Sequence, residues 1–394
     1  MFYVGIDIAK HFHQAAVLGS DGKTLCKPFS FPNTADGRQK IIDVLDARSV
    51  PITDCTVAME ATGQYWLSVY SFFSELGFDV KVINPIQTDS FRNLNIRKCK
   101  NDVVDSVNIA ELVRFGKYSN CAVHEESVFA LKNLSRFRLY LTDPCADLKK
   151  KAICLLDQVF PEYADPFSDT FGLTSRELLL KFSTPEEFLA VSTVKLANLI
   201  SKASRGRLGK IKAEQVKQAA QNSFGVTFAV KSFSFQLKLI LEQINFTEQQ
   251  IADLEAQLSD LLNQTAAAVI TSITGIGTIL AATIIGEIGD INRFDSPKKL
   301  LAYSGLDASV VQSGQFVGSN SKVSKRGSPY LRRAIYLAAN VAAFKDQALS
   351  LFYQKKISQG KHHKQAVIAV AHKPVNIIRA VRRTNALYVP RVNN

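Results

Sequence analysis

Apolar runs separated by turns and amphipathic segments predict an α/β arrangement at the start of the chain. The apolar runs predict strands at residues 2–8, 12–18, 24–31, 53–60 and 79–83. Helical spacing predicts helices at 34–47, with Asn33 or Thr34 as N-cap, and at 64–76. Three strands followed by alternating helix and strand indicate a mixed sheet with helices around it.

Beyond residue 100 the pattern is mainly helical. Apolar residues at helical spacing predict helices at 102–115 and 127–163, the second broken at Pro144. Within 244–261, apolar residues recur after seven, three, four and three positions, which favours a short coiled coil. An ordinary amphipathic helix gives the same spacing, so oligomerisation through this segment is a hypothesis.

A turn with two glycines opens the last third of the chain. Gly275-Ile276-Gly277 lies between two apolar helices. Such a turn either presents the free backbone N–H groups of a helix N-terminus to a phosphate or only lets two helices pack. A single Gly-x-Gly does not decide between these alternatives.

The composition is that of a globular chain with two or three domains. The 394 residues are 46% hydrophobic and 21% charged, and no apolar stretch approaches the roughly 20 residues of a membrane span. The first residues contain no basic region or cleavage site, so we expect no secretory signal. The six cysteines show no zinc-type spacing, which predicts free thiols in a reduced, cytoplasmic compartment.

The net charge of +13 is concentrated near the C-terminus. Residues 321–394 hold fifteen Lys or Arg against one acid, Asp346, while the preceding residues are almost neutral. This asymmetry favours a nucleic-acid partner over a solvated helix face, which would normally mix signs. The candidate contacts are Lys322, Lys325, Arg326, Arg332 and Arg333.

Four carboxylates in the first 105 residues carry the main chemical signal. Asp7 and Glu60 each end an apolar strand, where an unpaired carboxylate is costly, and Asp102 and Asp105 share one helix face. Taken separately, each is more simply a strand-end or helix N-terminal acid. Together at the carboxyl ends of strands, they would offer oxygen ligands to Mg²⁺ or Mn²⁺, and two such ions can stabilise a phosphodiester displacement.

Basic residues precede the helical acid pair. Arg92, Arg97, Lys98 and Lys100 would suit a phosphate backbone that enters a metal site. A charged surface loop is an equal alternative.

A series of motifs resembles one family of enzymes. The motifs are G-I-D-I-A-K, M-E-A-T-G, V-I-N-P, K-N-D-V-V-D, I-T-G-I-G, A-Y-S-G-L and S-K-R-G-S-P-Y-L-R-R-A-I-Y. In this order they are similar to the DEDD transposases of bacterial insertion sequences, the family of Piv-like DNA invertases and RNA-guided bridge recombinases. The similarity covers roughly residues 1–160 and 265–350. Ser106 stands where alanine is usual, and residues 161–263 match no motif.

The resemblance implies a three-part architecture. It implies an α/β RuvC-like (RNase H-like) catalytic domain at 1–160, a helical coiled-coil linker at 161–264 and a mainly α-helical transposase domain at 265–394.

The resemblance also implies a reaction, its residues and its partners. Asp7, Glu60, Asp102 and Asp105 match the family's acidic tetrad, and Ser313 matches its serine nucleophile, although spacing alone would not select this serine. The implied reaction cuts and rejoins DNA strands through a transient phosphoserine, within one chain or across subunits. The implied partners are donor and target DNA, a noncoding guide RNA, and further copies of the chain in a dimer or tetramer.

Three other functions remain open from the residues. A RuvC-like nuclease would hydrolyse DNA with water as nucleophile. A sugar kinase or actin-like ATPase could use Gly5-Ile6-Asp7 and the following hairpin, but no second Gly-rich phosphate loop is evident. A non-catalytic nucleic-acid-binding protein would leave the four acids unexplained.

Overall fold

A five-stranded mixed sheet forms the centre of the first part of the protein. The computed structural model describes residues 1–93, 101–118, 125–309, 312–313, 316–317 and 322–390. The chain divides into two compact units, residues 1–125 and 126–394. The first unit contains strands β1 Phe2–Asp7, β2 Phe12–Leu18, β3 Phe29–Pro32, β4 Cys55–Glu60 and β5 Asp79–Ile83, and helices α1 Ala35–Ala47, α2 Trp66–Glu75, α3 Pro85–Arg92 and α4 Asp102–Phe115.

The strands lie in the order β3-β2-β1-β4-β5. β1, β2 and β3 pair antiparallel, whereas β4 pairs parallel with both β1 and β5. One face of the sheet packs on α1 and α2 around Ile6, Val57 and Phe73, and α4 packs on β1 and β2. The predicted mixed α/β arrangement is therefore confirmed.

The predicted third strand, 24–31, is shorter in the structure. Thr24 forms only an isolated bridge with Leu18, and regular pairing resumes at Phe29 opposite Ala15. Residues 25–28 are thus opposite only two residues of β2, Ala16 and Val17, so regular strand pairing is interrupted there.

The second unit is mainly helical. Its helices are α5 Glu126–Val159, α6 Leu173–Lys181, α7 Pro185–Ala190, α8 Thr193–Ala203, α9 Lys210–Gln221, α10 Val230–Asn263, α11 Thr278–Ile288, α12 Pro297–Ser304, α13 Pro329–Lys345, α14 Gln347–Ser358 and α15 His363–Thr384, and strands β6 Gln312–Ser313 and β7 Phe316–Val317 form a hairpin between α12 and α13. None of the helices in the described ranges is both long and apolar enough to cross a bilayer.

The predicted break at Pro144 is wrong, because α5 continues through this residue to Val159. A proline inside a helix removes one backbone hydrogen bond and costs about 3 kcal/mol. The long contact between α5 and α10 supplies the compensating packing, with Cys145 and Leu155 in the same buried cluster as Leu241.

The segment predicted as a coiled coil lies within α10. Its Ile244 and Leu258 are buried, and α10 packs most extensively against α5 of the same chain and also contacts α6 and α11. Much of the apolar spacing is thus explained inside one chain. Oligomerisation through α10 and the three-part division at residues 160 and 264 stay predictions.

Candidate active site

Asp7 and Glu60 lie side by side at the ends of two neighbouring parallel strands. β1 and β4 pair in the register Ile6 with Met59, so the next residue of each strand is one of the acids. Both side chains are partly exposed, whereas the residues before them are buried. The sheet therefore brings two carboxylates, 53 positions apart in the sequence, to one edge.

Helix α4 contributes the other two carboxylates. Asn101 caps the helix by accepting a hydrogen bond from the Val104 N–H, and Asp102 and Asp105 lie in its first turn. Asp105 is buried, with 8% of its surface exposed. Negative side chains are stabilised at this end of a helix by its dipole.

Gly5 allows α4 to lie close to β1. A Cβ atom at this position would stand 2.1 Å from the Ser106 carbonyl oxygen and 2.5 Å from the Ala110 nitrogen. Only glycine permits such an approach of helix backbone to strand backbone. The contact fixes the start of α4 beside the end of β1, where Asp7 stands.

The charges at this edge act on one another. The pKa of Asp7 is raised from 3.8 to about 6, first by burial and then by the carboxylates of Asp102, Asp105 and Glu60 in that order, while the Arg92 guanidinium lowers it. Carboxylates perturb each other in this way only when they are close. The structure therefore brings together all four acids that the sequence singled out.

Arg92 and Thr88, both in α3, contact this cluster. Arg92 Nε lies 2.9 Å from Asp105 Oδ1, but its N–H is not aligned with that oxygen, so the contact is an ion pair without a hydrogen bond. The buried Thr88 hydroxyl lies 3.0 Å from Glu60 Oε2 and 2.9 Å from the Pro85 carbonyl oxygen. It donates to one of them at a time.

Sequence reasoning missed Thr88. The available signal was Asn84-Pro85 directly after β5, which starts a helix and turns Thr88 toward the strand ends. Arg92 was predicted to contact nucleic acid; in the structure it lies beside Asp105, and a nucleic-acid contact stays a prediction. Arg97, Lys98 and Lys100 lie outside the described residues.

The chemistry of the four acids fits a divalent cation. They supply hard, negatively charged oxygen donors, and the buried Asp105 Oδ1 already lies beside a cation, the Arg92 guanidinium, without a hydrogen bond to it. Within the described ranges, no three His, Cys, Asp or Glu side chains are arranged to hold a metal ion as they stand. Binding of one metal ion by three of these acids would therefore require their side chains to rotate.

Ser313 lies in the second unit, on the short hairpin between α12 and α13. Its backbone pairs with Phe316. The base of the surrounding segment is held by a bridge between Ala308 and Val323 and by the Ser309 N–H, which donates to the Lys322 carbonyl oxygen at 2.7 Å. The serine is thus carried on a segment whose two ends are fixed to each other.

The predicted basic contacts follow this hairpin but have different surroundings. Lys322, Lys325 and Arg326 are exposed. Arg333 forms a bidentate ion pair with Asp143, with both N–O distances 2.8 Å, and Arg332 Nη1 lies 3.5 Å from the Ser304 carbonyl oxygen. Two of these five basic residues, Arg332 and Arg333, therefore contact groups of the protein itself.

A buried carboxylate holds the start of α13. Glu287 of α11 is 1% exposed and accepts from Arg136 Nε at 2.6 Å and from the Ser328 hydroxyl at 2.7 Å. The Arg136 guanidinium also lies over the Tyr330 ring, 4.5 Å from its centroid. This network ties α11, α5 and α13 together directly after the serine segment, and no sequence spacing indicated it.

The two glycines of the Gly-x-Gly turn differ. Gly275 has φ +91°, and a Cβ atom there would stand 2.4 Å from the Ala338 carbonyl oxygen, so this glycine serves the packing of the turn on α13. Gly277 caps α11 and has open space where a Cβ would lie. A phosphate contact at either glycine stays a prediction.

Known proteins match this chain along most of its length. Residues 4–161 match a family model described as a transposase, and residues 267–354 match the model of the transposase IS116/IS110/IS902 family. The chain is 24% identical over 394 residues to the pilin gene-inverting protein of Moraxella bovis. The alignment covers 99% of this chain and 98% of that protein.

Two insertion-element proteins are also similar. The IS116 protein of Streptomyces clavuligerus is 22% identical over 395 residues, 98% of this chain and 96% of that protein. The IS900 protein of Mycobacterium paratuberculosis is 27% identical over 215 residues, 54% of this chain and 53% of that protein. The two family models occur in chain order and together match more than half of the sequence, and the chain belongs to the IS116/IS110/IS902 family of transposases.

Proposed function

We propose that this transposase cuts and rejoins DNA with Ser313 as nucleophile, at a Mg²⁺- or Mn²⁺-dependent centre formed by Asp7, Glu60, Asp102 and Asp105. The observation that carries the proposal is the convergence of the four acids, expressed in the raised pKa of Asp7. Such repulsion is costly unless a cation neutralises it. The sheet order β3-β2-β1-β4-β5, with only the first three strands antiparallel, supports a RuvC-like fold for the first unit.

The four carboxylates would hold the metal, and Ser313 would replace a phosphodiester bond of the DNA by a bond to its own oxygen. Metal ions held by the four acids would polarise the scissile phosphate and would stabilise the charge that develops on its oxygens. Ser313 Oγ attacks phosphorus, its proton leaves to a base, and the bond to the leaving deoxyribose oxygen breaks as that oxygen takes up a proton. The hydroxyl of another strand then attacks the phosphorus of the phosphoserine and loses its proton, and the P–Oγ bond breaks as Ser313 Oγ takes up a proton, which rejoins the DNA.

Arg92 and Thr88 have roles in this proposal that follow from their contacts. Arg92 neutralises Asp105 before the metal arrives and is then free to contact a phosphate oxygen, as a guanidinium does well. Thr88 orients Glu60 through its hydroxyl group. Lys322, Lys325, Arg326, Arg332 and Arg333 would contact the nucleic-acid backbone, which predicts steep salt dependence of binding.

The proposed partners are donor and target DNA, a noncoding guide RNA and further copies of the chain, in the cytoplasm. The pilin gene-inverting relative supports DNA strand exchange by its name. The tetrad and Ser313 lie in different compact units, so one centre would combine residues of both units, within one chain or from two chains of a dimer or tetramer.

A covalent-adduct experiment separates this proposal from hydrolysis by a RuvC-like nuclease. The chain is incubated with DNA of its element's ends, copurified RNA and Mg²⁺, and protein–DNA adducts are separated under denaturing conditions. The proposal predicts an adduct with the wild type that is lost in both Ser313→Ala and Asp102→Ala. Nicked DNA without an adduct, undiminished in Ser313→Ala and lost only in Asp102→Ala, would establish the hydrolytic nuclease instead.

A further inference from the structure

Charge is strongly segregated within the helical segment between α5 and α10. Residues 161–190 contain two Lys or Arg and six Asp or Glu, whereas residues 191–229 contain seven Lys or Arg and one acid, Glu214. The basic half consists of α8, the connection 204–209 and α9, which we call the basic hairpin. A surface that is only solvated normally mixes the two signs.

The packing of the basic hairpin turns its charges outward. α8 and α9 pack on each other, and their Leu196, Ile200, Ala213 and Val216 are buried in the core of this segment. The opposite sides of the two helices therefore face solvent, and five of the seven bases are exposed: Lys195, Lys202, Arg205, Arg207 and Lys210.

Most of the exposed bases have no acid beside them. Lys210 lies 3.8 Å from Glu214, the only acid of the basic half. The other four exposed bases form no ion pair within the part of the chain that the structure describes. The two remaining bases are used internally: Lys212 donates to the Pro166 carbonyl oxygen and Lys217 to that of Leu189.

The connection between α8 and α9 has a defined backbone. The Gly206 N–H donates to the Ser201 carbonyl oxygen at 2.8 Å, and the Leu208 N–H donates to the Ser204 hydroxyl at 2.9 Å. Arg205 adopts a left-handed conformation with φ +53°. These bonds hold Arg205 and Arg207 at the rim of a cleft of about 410 Å³, beside Ser204 and Thr174.

We propose that the basic hairpin is a second nucleic-acid-binding surface, which contacts the phosphate backbone without reading its sequence. When exposed guanidinium and ammonium groups without neighbouring acids neutralise phosphates, the counterions condensed on the nucleic acid are released. This release drives binding that does not depend on sequence. The basic hairpin shares no residue with the tetrad or with the basic residues after the serine hairpin. The inference rests on the proposed function only in taking nucleic acid as the substrate class.

The test compares two triple variants of the full chain. Lys202→Ala/Arg205→Ala/Arg207→Ala removes charge from the basic hairpin. Lys150→Ala/Lys181→Ala/Lys231→Ala removes the same charge from exposed positions of the same unit outside it. Fluorescence anisotropy measures binding to a labelled DNA duplex and to an RNA hairpin of unrelated sequence, in EDTA and over about 50 to 200 mM salt. Thermal melting verifies that both variants are folded.

The hairpin variant is expected to bind at least tenfold more weakly near 100 mM salt, and the slope of log K against log salt is expected to fall by about 2 to 3. The control variant should keep the wild-type slope. A loss on DNA alone, on RNA alone or on both supports the proposal and identifies the strand type. Unchanged affinity and slope on both probes, or an equal loss in the control variant, overturns it. Because nothing is cleaved in EDTA, failure of the serine chemistry would not alter these results.

Discussion

The environment of Asp7 determines how this residue affects stability. In the folded chain its pKa is about 6, against 3.8 for an ordinary aspartate, because burial and three neighbouring carboxylates disfavour its charge. Between about pH 4 and 6 the folded state keeps a proton that the unfolded state has lost, so the free energy of unfolding falls as pH rises through this window. Without metal, the ionised Asp7 destabilises the fold at neutral pH.

Asp7→Asn should therefore stabilise the metal-free protein at high pH. Two pKa units correspond to about 2.7 kcal/mol, and screening at a partly exposed side chain reduces the expected gain to about 1 kcal/mol. The gain should be present at pH 7.5 and vanish near pH 4. Urea denaturation in EDTA measures it, with Asp43→Asn, at an exposed position of α1, as control. A gain that is equal at both pH values would contradict the assigned cause.

Arg92 should compete with the metal for Asp105. In Arg92→Gln the neutral side chain no longer pairs with the Asp105 carboxylate, so we expect Mn²⁺ to bind severalfold more tightly while the metal-free protein melts at a lower temperature. Isothermal titration and thermal melting in EDTA measure the two effects. Arg114→Gln, which removes a pair with Glu111 on α4, is the control and should leave Mn²⁺ affinity unchanged. Weaker Mn²⁺ binding in Arg92→Gln would refute this competition.

The close approach of α4 to β1 determines the positions of Asp102 and Asp105, the two acids of α4. Gly5→Ala would place a methyl group 2.1 Å from the Ser106 carbonyl oxygen, so α4 must move away from β1. We expect a loss of about 1 to 3 kcal/mol in the free energy of unfolding, measured by urea denaturation. Gly277→Ala meets open space at negative φ and should cost much less. Equal costs would show that the approach at Gly5 is not tight.

The junction of α5, α11 and α13 should depend on one buried acid. Glu287→Ala leaves Arg136 and Ser328 without their shared partner, and we expect a loss of about 3 kcal/mol by chemical denaturation. Asp143→Ala breaks the exposed bidentate pair with Arg333 and should cost under about 1 kcal/mol. If the exposed pair proved as costly as the buried one, burial would not be the source of the stability of this junction.

The exposed apolar residues of α10 bear on whether copies of the whole molecule associate. α5 covers Leu241 and Ile244, yet Phe235, Leu239 and Phe246 of the same helix remain exposed. Exposed large apolar side chains on one helix favour association between copies. We expect a dimer or tetramer in analytical ultracentrifugation. A monomer at micromolar concentration, with and without nucleic acid, would count against this prediction.

The sequence predicted the acid cluster well because its positions follow simple periodicities. Asp7 and Glu60 end apolar runs, and parallel pairing brings strand ends together, while Asp102 and Asp105 follow helical spacing. Contacts such as Arg92 with Asp105 and Arg136 with Glu287 were not predictable, because they depend on how separate helices pack. The Pro144 prediction failed for the same reason, since packing of α5 on α10 outweighed a local preference.

In the proposed reaction Ser313 forms a phosphodiester with DNA, and this step depends on the four acids. The most direct measurement traps the wild-type adduct with Mg²⁺, trims the DNA with nuclease and maps the residual nucleotide by tandem mass spectrometry. We predict a nucleotide on Ser313, absent from Asp102→Ala and from wild type in EDTA. Modification of a different residue, or efficient strand cleavage with an unmodified Ser313 at every time point, would exclude Ser313 as the nucleophile.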